Sequence, residues 1–96
     1  MLANNQIVKI ARDVANANLG SSSVSGVIAE PRIDSEGRGA LRITIVLEPG
    51  AVEKITGDAT LDTLVQIQDR LREAGEERFP IVEYATEEEL AESGDS

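Results

Sequence analysis

The chain has 96 residues, about one domain's worth, and carries 9 Lys and Arg against 18 Asp and Glu, a formal net charge of -9. It contains no Cys and no His, which excludes disulfides, the usual zinc, haem and iron–sulfur ligand sets, and nucleophilic catalysis of the Ser–His–Asp or Cys–His kind. No apolar run is long enough to span a bilayer, and residues 1–20 lack the basic start and solid apolar block of a secretory signal, so no membrane association and a cytoplasmic location are expected.

In chain order, Asn4 and Asn5 are the expected caps of a first helix over about Asn5–Asn18, because their short side-chain oxygens accept from free backbone N–H groups. Ile7, Ile10, Ala11 and Val14 recur at helical spacing and define its apolar face. Gly20 is the expected stop. After the short connection Gly20-Ser-Ser-Ser23, a strand is expected over about Val24–Glu30, with Gly26 marking a bulge and Pro31 the end or a sheet edge. Asp34-Ser-Glu-Gly-Arg-Gly39 is turn chemistry between two β-rich runs and reads as a hairpin tip. The second strand, Ala40–Leu47, alternates: Leu41, Ile43, Ile45 and Leu47 share one face, Arg42 and Thr44 the other, with Val46 as the exception.

Glu48-Pro49-Gly50 ends that strand, and residues 51–57 have room for one helical turn. Asp58 or Thr60 is the expected cap of a second helix with a stripe of Leu61, Leu64, Val65, Ile67, Leu71 and Ala74, closed by Gly75. A third strand covers Phe79–Tyr84, with Pro80 at an edge or a strand start. Thr86-Glu87-Glu88-Glu89 has the capping-box pattern, and its acids suit the positive end of a helix dipole. A last helix to about Glu92 and a disordered tail at 93–96 complete the chain.

The order α-β-β-α-β-α, with one apolar stripe per helix, predicts a single α+β domain over 1–92. Its fold is a two-layer sandwich: a three-stranded mixed sheet with helices on one face and strand 3 parallel to strand 2. The position of strand 3, beside strand 2 or strand 1, stays open. Such a layer leaves one sheet face bare. Val46, Val82 and Tyr84 are expected to form an apolar patch there, and a homodimer formed through that face or a strand edge to cover it.

Charge is unevenly placed. Residues 1–42 hold five bases and four acids; residues 43–96 hold four bases and fourteen acids; from Glu83 onward there are six acids and no base. No pair of carboxylates shows the separation of environments that acid–base catalysis needs, and Glu87, Glu88 and Glu89 cannot converge on a metal from one helix start. Gly37-Arg38-Gly39 lies between strands, not between a strand and a helix, so it is no phosphate loop. The expectation is therefore a non-enzymatic module without cofactor or metal. It docks a basic protein partner through Glu83, Glu87, Glu88, Glu89 and Glu92, with Tyr84 as an apolar anchor. Two alternatives are kept: a homo-oligomeric structural subunit that assembles through the bare sheet face, and an RNA- or ribosome-associated domain that uses Arg32, Arg38 and Arg42. The second is disfavoured, because Glu30, Asp34 and Glu36 share the hairpin and 2% aromatics leave almost nothing to stack on bases.

Overall fold

The computed structural model describes residues 1–94, with side chains through Ala91. The elements are α1 (Asn4–Leu19), β1 (Val24–Ile33), β2 (Gly39–Leu47), a 3-10 turn (Pro49–Lys54), α2 (Gly57–Glu73), β3 (Phe79–Thr86) and α3 (Glu87–Gly94). The sheet order is β1-β2-β3, with β1 and β2 antiparallel and β2 and β3 parallel. This is the expected α+β sandwich, and strand 3 lies beside strand 2.

β2 is the centre because its alternation suits two paired neighbours and one covered face. Leu41, Ile43, Ile45 and Leu47 are all buried against Ile7, Ala11, Val14 and Ala15 of α1 and Ile67 and Leu71 of α2. Burying an aliphatic side chain of this size contributes about 1.5–3 kcal/mol. α1 lies over β1 and β2, and α2 lies beside α1 on the β3 side. The side-chain amide of Asn18 donates to Gln66 Oε1 across the helix–helix seam.

Several local expectations are corrected. The asparagines do not cap α1. Its N-cap is Ala3, whose N–H donates to Gln6 Oε1 at 2.9 Å, so the cap comes from a side chain reaching backward. Thr56 caps α2, accepting from the Ala59 N–H at 3.1 Å, which moves the start ahead of Asp58 and Thr60. β1 continues through Pro31 to Ile33, because β1 is an edge strand and proline is tolerated there. The α2 stripe is narrower than predicted: Thr63, Ile67 and Leu71 are buried, while Leu61 and Val65 stand 58% and 45% exposed. The expected patch on the bare face is also different. Val82 and Tyr84 pack against the core on the helix side, and Val46 is buried. Strand alternation instead puts Phe79, Ile81, Glu83 and Ala85 on the open face.

Other features fall where the sequence puts them. The β1 register shifts between Val24 and Gly26. Gly20 follows α1 with φ 91°, a conformation favouring glycine. At the hairpin tip the Asp34 carboxylate accepts from the N–H groups of Glu36 and Arg38. The capping box is formed: Thr86 Oγ1 accepts from the Glu89 N–H, and Glu89 Oε1 accepts from the Thr86 N–H. One boundary does not: α3 continues past Glu92 to Gly94, so residues 93–94 of the expected tail are helical. The rest of the expected tail, 95–96, and the Glu92 side chain lie outside the described residues.

Candidate functional site

The acidic residues singled out in the sequence do not converge on one point. Glu83 projects from the open face of β3 and pairs with Arg42 on β2 at 2.5 Å, and it also accepts from Thr44 Oγ1 at 3.2 Å. Tyr84, one residue on, points to the opposite face, where its hydroxyl donates to the Thr60 carbonyl at 3.2 Å. Burial there holds the phenol above its usual pKa, so it stays a neutral donor. Glu87 accepts from Ser25 Oγ of β1, and Glu89 is engaged in the cap. Glu87, Glu88 and Glu89 are exposed.

Each of the three candidate arginines has a carboxylate neighbour. Arg32 pairs with Glu30 at 3.0 Å, Arg38 with Asp34 and Glu36, and Arg42 with Glu83. The causes are local and cross-strand: Glu30 and Arg32 are two apart on one face of β1, the hairpin turn holds Arg38 beside Asp34 and Glu36, and the strand register brings Arg42 between Glu30 and Glu83. Contact with a phosphate here has to displace a carboxylate from each guanidinium.

One cluster escapes the sequence reading altogether. Glu76 sits in the α2–β3 connection and its side chain is fully buried. It accepts from the N–H of Leu2 at 2.9 Å, from the Arg78 N–H at 2.9 Å and from the Arg78 guanidinium at 2.8 and 2.9 Å. These bonds, led by the Arg78 side chain and opposed by burial, hold its carboxyl down at about 2. Arg78 also reaches the Leu2 carbonyl at 3.3 Å. The stem of Arg78 lies against Gly39, where a Cβ would sit 3.2 Å from Arg78 Cγ. The pair therefore clips the N-terminal segment and the start of β2 to the start of β3. Every acceptor position on this carboxylate already serves a structural donor, so it is no poised acid. The only signal in the sequence is a Glu two residues before an Arg, which is common on any surface.

Two clefts lie along the outer side of α2 and β3. One, about 510 Å³, is formed by Gln68, Leu71 and Arg72 of α2 with Glu77, Phe79 and Pro80. The other, about 280 Å³ and mostly apolar, is formed by Val52, Ile55 and Thr60 with Leu47 and Tyr84. Between them α2 presents Leu61 and Val65, with Asp58, Asp62 and Asp69 on the adjoining surface. A third cleft, about 730 Å³, opens at the other end of the sheet beside Asp34, Arg38, Arg78 and Phe79, and its charged side chains are engaged in the ion pairs above. Among the described residues, no cluster of three acids has the arrangement of a metal site, and no helix is long and apolar enough to cross a membrane. The chain matches no protein-family model, no curated protein and no solved structure.

Proposed function

We propose that the chain is a non-enzymatic interaction module that docks a basic protein partner, in an inhibitory, neutralising or adaptor role. One observation carries this reading: most of the bases are neutralised in place, with Arg12, Lys54 and Arg70 as exceptions, while a larger number of acids stay unpaired among the described residues. Among the described residues, Lys9, Arg32, Arg38, Arg42, Arg72 and Arg78 each pair with a carboxylate, six of the nine bases in the chain. Asp58, Asp62, Glu73, Glu77 and Glu88 are exposed and make no such pair. Unpaired, exposed acids therefore lie on α2, just before β3 and on α3, and their negative field favours fast capture of a cationic surface. Leu61 and Val65 add apolar area next to those acids, the combination that a docking surface needs for affinity as well as steering.

The test is capture from the native cell. The wild-type chain is expected to retain a protein partner at low salt and release it at high salt. Asp62→Lys/Glu88→Lys is expected to lose that partner while keeping its circular-dichroism spectrum, since both side chains are exposed. A partner held equally by the reversed variant, or no retained protein at all, rejects the docking reading.

A further inference from the structure

We infer that the partner's contacting segment is an extended basic strand, added to the free edge of β3 beneath the overhang of α2. This rests on the docking reading above and specifies its geometry.

β3 is paired on one side only, to β2. Proline inside a strand is tolerated where its nitrogen faces away from the ladder. With Pro80 so placed, the two-residue alternation turns the backbone groups of Val82, Tyr84 and Thr86 to the same outer edge. The Thr86 N–H is consistent with this, because it donates to Glu89 Oε1 in the cap. The N–H and C=O groups of Val82 and Tyr84 are left as an open template for another strand.

The space beside that edge is roofed. α1 holds one flank of α2 through Asn18 and Gln66. At 100° per residue, Leu61, Leu64 and Gln68 fall on the opposite flank, above the place a fourth strand takes. Leu61, 58% exposed, stands on that flank of an otherwise amphipathic helix. Clefts lie toward the two ends of this flank, one against Gln68, Leu71 and Pro80 and one against Thr60 and Tyr84. The opposite sheet edge lacks these features. β1 is bulged near Ser25, and α1 rather than an exposed apolar flank lies over it.

Charge selects the occupant. The chain carries a formal net charge of -9, and among the described residues Asp58, Asp62 and Glu73 of α2 and Glu77 just before β3 are exposed without an ion pair. A basic strand with aliphatic side chains turned up toward α2 suits both the apolar flank and the net charge. A second copy of the chain does not, because each copy carries a formal charge of -9.

The probe is a synthetic eight-residue peptide of alternating Lys and Val, added to the intact protein. It is expected to bind, to slow amide exchange at Val82 and Tyr84, and to lose at least about tenfold in affinity when alternate backbone nitrogens along one edge are methylated, a loss of about 1.4 kcal/mol. Leu61→Ser, at an exposed position, is expected to weaken it severalfold. Equal, salt-sensitive binding of the methylated and unmethylated peptides overturns strand addition while leaving charge-driven docking intact. No binding of either peptide overturns strand addition, and the docking reading is then decided by the native capture alone. A dimer with Val82 and Tyr84 already protected in the absence of peptide overturns it in favour of self-pairing.

Discussion

Glu76 is the residue whose contribution is most out of proportion to its visibility in the sequence. Its carboxylate ties Leu2 to Arg78, with about 5% of the residue exposed. Glu76→Ala leaves the Arg78 guanidinium and the Leu2 N–H without their acceptor in a largely buried setting, and is expected to cost about 3 kcal/mol in urea unfolding at neutral pH. The pH dependence has a definite sign. The folded-state pKa of about 2 lies below the ordinary value of 4.5. The stabilisation is therefore complete above about pH 5 and is lost as pH falls toward 2. Wild-type stability should drop across that window by up to about 3 kcal/mol more than that of Glu76→Ala. Parallel pH profiles of the two proteins count against the linkage. Neither the burial of Glu76 nor its contact with Leu2, 74 positions away, is encoded in local spacing.

At the scale of elements, the strongest signals are periodic. Strand 2 is readable because Leu41, Ile43, Ile45 and Leu47 alternate without a break, and all four reach the core. Helix 1 is readable for the matching reason at helical spacing. Element ends were less legible. Asn4, Asn5, Asp58 and Thr60 are all good capping residues, yet Ala3 and Thr56 occupy the caps. Several candidates with similar intrinsic preference lay within one turn, and the direction in which the chain enters each helix chose among them. Thr56→Ala should remove the bond to the Ala59 N–H and lower stability by about 1 kcal/mol in thermal or urea unfolding. The same substitution at Thr60, whose hydroxyl donates to the Gly57 carbonyl inside the helix, should cost less. Equal effects at the two positions contradict the cap assignment.

At the scale of the whole molecule, β2 is paired on both sides and covered by helices on one face. Its amides, over Leu41–Leu47, should exchange slowest with solvent, with the outer edges of β1 and β3 exchanging sooner. Exchange at Val82 as slow as at Ile43 in the isolated protein contradicts a free β3 edge. The acidic surplus is also a whole-molecule property. It could be counted from the sequence, but which acids stay free depended on the register that pairs Arg42 with Glu83 and on the turn that holds Arg38 beside Asp34 and Glu36. The docking residues chosen from sequence, Glu83 and Tyr84 among them, are separated by the alternation of β3 itself. Leu61 and Val65 were assigned to the core because their spacing fits a helix stripe. Spacing alone does not tell a face covered by a neighbour from one left exposed.

Taken alone, the sequence determined the element order, the central strand, the parallel third strand, the capping box before α3 and the lopsided charge, because each arises from interactions between residues close in the chain or from composition. Only the tertiary structure decided the order of the strands, the burial of Glu76 against Leu2, the side of the sheet to which Val82 and Tyr84 belong, and the open flank of α2 beside β3. Those follow from which distant surfaces meet, and many segments of similar apolarity compete for the same contacts until the whole chain is packed.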